Sequence, residues 1–182
     1  MSRLFYVRHG ESEANEKNIF AGGLNDSPLT EKGRIQAVQA AKSLPKDIRY
    51  VISSPLSRAK ETAEIIAEEI GFNQDQIKID ERLREYSVGA AEGTPMHVVS
   101  SLELVAFEGA ENPNAFKERL FGVLIDAKNV PGNVLIVAHG GVAKLIECVR
   151  QGKNPKYFYD MPKQDNATVL ELDLSWINEV TL

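Results

Sequence analysis

Two histidines of this chain each follow a short apolar run and are each followed at once by glycine. His9 follows the run 4–7, with Arg8 between them, and His139 follows the run 134–138. Such apolar runs are typical of buried parallel strands, and each would deliver its histidine to the carboxyl end of a strand. In an open α/β sheet, ligands bind at that edge. Two imidazoles there, with Arg8 beside one of them, suit chemistry on an anion, and phosphate is the first candidate.

The chemistry that these side chains could perform is phosphoryl transfer through His9. A neutral imidazole nitrogen can attack phosphorus and hold the phosphoryl group covalently, which divides one displacement into two easier ones. Nearby cations favour the neutral ring, and Arg8 is adjacent while Arg58 lies in the first turn of a predicted helix. A guanidinium can bind two phosphate oxygens, and the N–H groups at the start of the helix after His139 are expected to bind the same anion. A carboxylic acid would then protonate the leaving oxygen.

Other uses of the histidines have less support in the sequence. Metal ligation is the rival, but no His-x-His, Glu-x-x-His or cysteine cluster accompanies them, so we expect no metal. No Gly-x-Gly-x-x-Gly follows a predicted strand, which argues against a Rossmann nucleotide site, and we expect no cofactor. His97 has no comparable setting and is interpreted as an ordinary residue. Cys148 lies at helical spacing from Leu145 and Val149, which predicts a small buried residue rather than a reactive thiol.

Composition limits the class of protein. The chain has 182 residues, which predicts one domain, and its 43% apolar and 26% charged content is ordinary for a globular protein. A formal net charge of -5 argues against nucleic acid or an anionic membrane as the main partner. The single cysteine and the lack of a membrane-spanning stretch or a recognisable leader predict a cytoplasmic protein. Oligomeric state is left open.

Helix and strand signals alternate along the chain, which predicts an α/β fold with three layers and a mainly parallel sheet. We expect strands near 4–7, 50–52, 77–79, 134–138 and 169–174, and a last pairing by 180–182. Thr30, Ser54 and Asn112 are each predicted to cap a helix, the last two with proline at the first helical position. The less regular stretch 89–112 is interpreted as a small cap with one helix near 98–106.

Six blocks of sequence carry a resemblance to a known family. They are RHGESEAN (8–15), DSPLTEKG (26–33), SSPLSRA (53–59), DERLRE (80–85), EG (92–93) and VAHGG (137–141). Their types and order are similar to those of the histidine phosphatase superfamily, phosphoglycerate mutase-like branch, over most of the chain except the cap and the tail. The resemblance implies a phosphoglycerate mutase-like α/β/α sandwich and an enzyme that acts on a phosphomonoester through phosphohistidine, without a metal.

The resemblance also implies a role for each matching residue. His9 would be the phosphorylated nucleophile, and Glu85 would protonate the leaving group and later activate water. The choice of Glu85 over Glu81 or Glu92 comes from the family pattern, because spacing alone leaves the three equal. The implied catalytic residues are His9, Glu85, His139, Arg8 and Arg58, and the implied phosphate-binding residues are Arg8, Asn15, Gly22, Gly23, Arg58, His139 and Gly140.

Two departures from the family bear on the substrate. Relatives often carry tryptophan at the position of Ala91 and in the loop that contains Gly22 and Gly23 here. Both positions are expected at the mouth of the pocket, so the shape of the substrate is left open while the phosphate chemistry is not.

The cap separates the candidate functions. Residues 94–116 include no lysine or arginine but do include Glu103, Glu108 and Glu111, whereas the mutases place extra basic residues in a longer insertion here. An acidic cap is expected to repel a multiply anionic substrate and to tolerate a phosphoester with a neutral or apolar remainder. The residues that could contact such a remainder, or equally pack in the core, are Met96, Val105 and Phe107.

These observations favour a phosphatase for a small phosphorylated metabolite over a cofactor-dependent phosphoglycerate mutase. A third reading is a non-catalytic protein that keeps the phosphate site to bind a partner. The presence of all five implied catalytic residues argues against it, since a decayed enzyme usually loses at least one.

Overall fold

Strands and helices alternate in the computed structural model, which describes residues 2–96, 101–173 and 175–179. The strands are β1 (Leu4–Arg8), β2 (Ile48–Ser53), β3 (Lys78–Ile79), β4 (Asn133–Ala138) and β5 (Val169–Leu172). The α-helices are α1 (Glu13–Glu16), α2 (Glu31–Ala41), α3 (Ser57–Ile70), α4 (Ser101–Leu104), α5 (Pro113–Lys128) and α6 (Gly140–Arg150). Short 3₁₀ turns span Gln74–Gln76, Glu81–Leu83, Gly89–Ala91, Pro155–Asp160 and Ser175–Glu179.

The five strands form one sheet in the order β3-β2-β4-β1-β5. Neighbouring strands are parallel, except that β5 runs antiparallel to β1. The connection after β1 places α2 on one face of the sheet, and the connection after β4 begins with α6 on the opposite face, so the chain diverges to opposite faces from this central pair. Such a divergence opens a crevice at the carboxyl ends of the strands, where ligands bind in open α/β sheets.

Helices cover both faces of the sheet. Phe5 and Val7 of β1 pack on one side with buried residues of α2 and α3. Leu4 and Tyr6 point to the other side and pack with buried residues of α5 and α6. This alternation follows from the period of two in a strand, because successive side chains face opposite sides. The prediction of a three-layer α/β fold with a mainly parallel sheet is confirmed.

The helix starts were predicted correctly in two of three cases. Thr30 caps α2 by accepting from the Gly33 N–H over 3.0 Å, and Asn112 caps α5 by accepting from Asn114 N–H over 2.8 Å. The prediction that Ser54 caps α3 was wrong: that helix begins at Ser57, after Leu56 as the N-cap. The Ser54 hydroxyl is hydrogen-bonded instead to His139, which follows β4.

The stretch interpreted as a cap is held to the body by backbone bridges between Val88 and Ala110 and between Ile19 and Pro95. Within it the structure places a 3₁₀ turn and the short helix α4. His97, the start of the helix expected near 98–106, and the pairing expected for 180–182 lie outside the described residues. The limits of the cap stay a prediction.

No helix within the described residues is both long enough and apolar enough to cross a membrane.

Candidate active site

The two histidines that follow the apolar strands meet at the carboxyl ends of β1 and β4. Because these strands are adjacent and parallel, their last residues Arg8 and Ala138 lie side by side. The ring centroids of His9 and His139 are 5.2 Å apart, with an angle of 61° between the ring planes. Both residues are buried. The structure therefore places two imidazoles within reach of one small ligand.

His9 has its reactive nitrogen set by a backbone hydrogen bond. Its Nδ1 lies 2.6 Å from the carbonyl oxygen of Gly10, which can only accept, so Nδ1 carries the proton and Nε2 keeps its lone pair. Burial lowers the pKa of His9 well below its usual value, and the nearby Arg58 and Arg8 charges lower it further. The ring is therefore neutral near neutral pH, which is the form that a nucleophile requires.

A hydrogen bond with Ser54 determines which ring nitrogen of His139 carries the proton. The His139 Nε2 lies 2.7 Å from the Ser54 hydroxyl oxygen, which also accepts from the Leu56 N–H over 3.4 Å. We assign the Ser54 hydroxyl as the donor and His139 Nε2 as the acceptor of this hydrogen bond. The neutral His139 ring then carries its proton on Nδ1, a buried atom with no hydrogen-bond partner among the described residues. Burial lowers the pKa of His139 well below its usual value, with Arg58 adding to the effect. His9 thus offers a lone pair where His139 offers an N–H.

Two buried arginines flank the histidines and are held by carbonyl oxygens. Arg58 is 2% exposed and donates to the Gly22 oxygen over 2.9 Å and to the Asn25 oxygen over 3.3 Å. Arg8 donates through Nη1 to the Gln164 carbonyl oxygen, while its buried Nε has no hydrogen-bond partner among the described residues. Burial lowers the pKa of each arginine, and the opposing charge of Glu85 limits the effect. Two fixed guanidinium groups beside a pair of neutral rings are suited to a phosphate dianion.

The Asn15 side chain is oriented by its neighbours. Its Oδ1 accepts from Asn166 Nδ2 over 2.9 Å and from the Ser12 N–H over 3.3 Å. The oxygen is therefore engaged, and the amide NH₂ is the group left for an anion in the pocket that Asn15 lines. No signal in the sequence pointed to Asn166.

The glycines that the resemblance implied do not all lie in the pocket. Gly22 and Gly140 line it. Gly23 lies to the side, where its carbonyl oxygen accepts from Arg84 Nη1 over 3.1 Å, and a Cβ on it would lie 2.5 Å from the Glu85 carbonyl oxygen. A phosphate contact by Gly23 has no support in this geometry.

Among the described residues that line the pocket, Glu85 is the only one of the three candidate acids Glu81, Glu85 and Glu92. Its carboxylate accepts from the Tyr86 N–H over 2.8 Å and from the Gly141 N–H over 2.9 Å. The expectation that the start of α6 directs its N–H groups at the anion is therefore wrong for Gly141, because that N–H holds the acid. Glu92 instead accepts from the backbone of the loop that contains Asn25, and Glu81 is exposed.

The side chains around the two histidines do not resemble a metal site. Across the residues that the structure describes, no group of three or more His, Cys, Asp and Glu side chains is placed to hold a metal ion. The charges that act on His9 and His139 come mainly from Arg58 and Arg8, and such cations repel a metal ion as they attract an anion.

Comparisons with known proteins agree with this geometry. The family model of the histidine phosphatase superfamily, branch 1, matches residues 4–176. The chain belongs to that superfamily. "Putative phosphoserine phosphatase 2" of Hydrogenobacter thermophilus is 38% identical over 190 residues, which cover 96% of this chain and 90% of that protein. "Probable phosphoglycerate mutase GpmB" of Salmonella choleraesuis is 34% identical over 157 residues, 77% of this chain and 70% of that protein.

Solved structures of histidine phosphatases and related proteins superpose over nearly the whole chain. Mycobacterial glucosyl-3-phosphoglycerate phosphatase in complex with VO3 has a TM-score of 0.79 at 26% identity, covering 95% of this chain and 93% of that one. Bacillus stearothermophilus YhfR has a TM-score of 0.77 at 29% identity, covering 95% of this chain and 92% of that one. The resemblance drawn from the six blocks is confirmed, and the relatives of this histidine phosphatase family member are phosphatases and phosphoglycerate mutase-like enzymes.

Several pocket residues of this family member were missed by the sequence analysis. They are Phe20, Lys144, Tyr159, Lys163 and Gln164. Lys144 lies one helical turn after Gly140 on α6, so its spacing could have pointed to it. Lys163 and Gln164 come from an irregular stretch after the last long helix, and such a stretch gives no periodic signal.

The acidic residues of the cap, which were expected to repel a multiply anionic substrate, do not line the pocket. Glu103 and Glu108 are exposed and, with Glu111, are outside the residues that line the pocket. Glu111 instead pairs with Arg119 over 2.6 Å. Positive charge at the pocket comes from Lys144 of α6 and from Lys163 in the segment after it, and neither residue belongs to the cap. Of the three apolar candidates, Met96 lines the pocket, while Val105 and Phe107 pack on the core.

Proposed function

We propose that this protein hydrolyses a phosphomonoester of a small metabolite through a phosphohistidine on His9. The observation that carries the proposal is two buried, neutral imidazoles with ring centroids 5.2 Å apart, flanked by the buried side chains of Arg8 and Arg58. With the tautomers assigned above, His9 offers the lone pair of Nε2 and His139 offers the N–H of Nδ1. A nucleophile, a hydrogen-bond donor and two cations around one point are what an in-line attack on a phosphate dianion requires.

In the first step His9 Nε2 forms a bond to phosphorus as the bond from phosphorus to the ester oxygen breaks. The phosphoryl oxygens would be held by Arg8, Arg58, Asn15 and the Nδ1–H of His139, which stabilise charge as it develops. Glu85, in its protonated form, would give its proton to the leaving alkoxide, so that an alcohol departs. The carboxyl group of Glu85 is held at the pocket wall by two backbone N–H groups.

In the second step water replaces the alcohol. Glu85, now a carboxylate, would take a proton from the water as its oxygen attacks phosphorus, and the bond to His9 Nε2 breaks. Inorganic phosphate leaves, Glu85 is protonated again and the ring is restored. The balance needs only substrate and water, so the proposal includes no cofactor and no metal.

Phosphatase action is preferred to mutase action on the strength of the relatives. The 38% identical relative carries a phosphatase name, as does a superposable solved structure, whereas a mutase name occurs at 34% identity and lower coverage. We extend to this chain only what these names share, a small phosphorylated metabolite as substrate. The cytoplasm as its compartment is part of the same proposal and rests on the single buried cysteine.

The test is turnover of p-nitrophenyl phosphate by the wild type and by His9→Ala. We expect phosphate release from the first and none from the second, together with an acid-labile phosphoryl group trapped on the wild type alone. Turnover by His9→Ala at the wild-type rate would overturn the proposal. Absence of turnover in both would favour the non-catalytic binding protein.

A second assay addresses the mutase. The protein is given 3-phosphoglycerate with a trace of the bisphosphate, and both 2-phosphoglycerate and free phosphate are measured. Phosphate release faster than isomerisation is the expected result, and the reverse order would assign a mutase instead.

A further inference from the structure

Two lysines of the pocket wall have no part in the phosphate chemistry proposed above. Lys144 of α6 and Lys163 beyond it both line the pocket, whose phosphate end already has Arg8 and Arg58. A phosphate dianion is neutralised by two guanidinium groups. The lysines are therefore positive charge beyond what the reacting group needs, and charge of this kind in a pocket favours a second anionic group on the ligand.

Lys144 is fixed rather than free. Its Nζ donates to the Tyr159 carbonyl oxygen over 2.6 Å and lies 4.2 Å from the centroid of the Tyr159 ring. Tyr159 is in turn packed against Phe158 and Phe20, at ring-centroid distances of 5.8 Å and 5.9 Å. An ammonium group held in this way has lost its rotamer freedom before a ligand arrives, and it keeps two more protons to donate.

Lys144 also lies on the side of the pocket where the leaving group must depart. The Glu85 carboxylate, the proposed proton donor to the ester oxygen, accepts from the Gly141 N–H over 2.9 Å, and Lys144 follows Gly141 by three residues, about one turn along α6. Because the acid must reach the ester oxygen, the alcohol portion of the substrate lies next to it. A group attached to that alcohol a few bonds away is within the region that Lys144 faces.

The wall around Lys144 is otherwise suited to a small organic remainder. The Tyr159 hydroxyl makes no hydrogen bond with the described residues, and burial raises its pKa, so it stays a neutral donor. Phe20, Val88 and Met96 provide apolar contact. The acids of the cap lie elsewhere, as shown above, so nothing in the lining except Glu85 opposes a second negative charge.

We propose that Lys144 is a specificity residue that binds a carboxylate on the alcohol portion of the phosphomonoester, an inference that rests on the phosphatase function proposed above. The Nζ donates to the carboxylate, the Tyr159 hydroxyl donates a second hydrogen bond, and Lys163 at the exposed rim adds long-range attraction. The substrate class is a phosphorylated hydroxy acid or hydroxy amino acid. This replaces the neutral or apolar remainder that the cap sequence favoured.

The experiment compares two substrates that differ only in the carboxylate, O-phosphoserine and O-phosphoethanolamine. We expect the wild type to favour the first by about tenfold or more in kcat/KM, as a charge-assisted hydrogen bond would give. In Lys144→Gln this ratio should fall about tenfold, mostly through KM for the carboxylate substrate. Lys144→Arg, which keeps the charge, should restore part of the preference. A second matched pair, 3-phosphoglycerate and glycerol 3-phosphate, should show the same pattern.

The control is Lys156→Gln, which removes the same charge from a lysine that stacks on Tyr157 outside the pocket. It should leave the substrate ratio as in the wild type. A ratio unchanged in Lys144→Gln, or a wild type without preference for the carboxylate, would overturn this inference. If His9-dependent turnover of p-nitrophenyl phosphate persists in that case, the phosphatase proposal stands. If no substrate is turned over at all, the phosphatase proposal fails first.

Discussion

Asn166 donates its side-chain N–H to the Oδ1 of Asn15 over 2.9 Å and so decides which end of the Asn15 amide meets the pocket. The same Nδ2 donates to the carbonyl oxygen of His9 over 3.1 Å. One amide therefore links Asn15, the proposed phosphate-binding residue, to the backbone of His9, the proposed nucleophile, although it lies more than 150 positions away in the chain. Asn166 is a positioning residue, because it acts through Asn15 and His9.

Asn166→Ala is expected to lower kcat/KM about tenfold, since the Asn15 amide loses the bond that orients it. The double variant with Asn15→Ala tells positioning from simple loss of stability. If Asn166 acts mainly through Asn15, the second change should add little to the first. Fully additive losses, or an equal loss in Asn129→Ala at the exposed end of α5, would contradict the role.

Glu85→Gln is expected to discriminate between leaving groups. The amide cannot donate a carboxylic proton, so an alkyl phosphate such as glycerol 3-phosphate should be hydrolysed about a hundredfold more slowly. p-Nitrophenolate leaves without help, so p-nitrophenyl phosphate should lose less than about tenfold. Rates for both substrates are measured beside Glu81→Gln, a carboxylate exposed to solvent. Equal slowing of the two substrates would reject Glu85 as the acid.

Ser54→Ala is expected to let the His139 ring exchange between its two neutral tautomers. Loss of the 2.7 Å hydrogen bond leaves Nε2 without its donor, so the ring proton redistributes between the two nitrogens. Stability should fall by about 1–2 kcal/mol, and kcat should fall about tenfold. Imidazole ¹⁵N shifts report the tautomer directly. Ser53→Ala removes a neighbouring buried hydroxyl that donates to a carbonyl oxygen, and it should lower stability without changing the His139 spectrum.

The two buried histidines should make stability fall on mild acidification. Burial holds the pKa of both His9 and His139 well below the value of about 6.5 for an unfolded histidine. Below that pH the unfolded chain binds protons that the folded protein does not, so stability present above about pH 6.5 is lost as pH falls toward the lowered pKa values. Each ring contributes up to about 1.4 kcal/mol per pH unit in this window.

Urea unfolding at about pH 7.5 and at about pH 5 measures this loss of stability. Both pH values lie above the range in which most carboxylates titrate. His139→Gln should show a smaller loss between the two values than the wild type does. An identical loss would mean that other groups, not the buried rings, bind the protons on unfolding.

Much of the site could be read from the sequence because its main parts are local. His9 and His139 follow apolar strands directly, and the rule that ligands bind at the carboxyl ends of parallel strands brings them together without coordinates. The six blocks then singled out Glu85, which spacing alone left equal to Glu81 and Glu92. The capping signal of Ser54 and the proline after it put the start of α3 too early, because the Ser54 hydroxyl is hydrogen-bonded to His139 instead.

The sequence by itself determined the two histidines that follow apolar strands, the arginine beside the first of them and the alternation that folds into three layers, because each depends on residues close together in the chain. The tertiary structure alone decided the electrostatics of the substrate end. Lys144 and Lys163 line the pocket, whereas Glu103, Glu108 and Glu111 of the cap are not among its lining residues. The physical reason is that charge acts through space, so a count of lysines and glutamates along one segment says little about the field that a ligand meets.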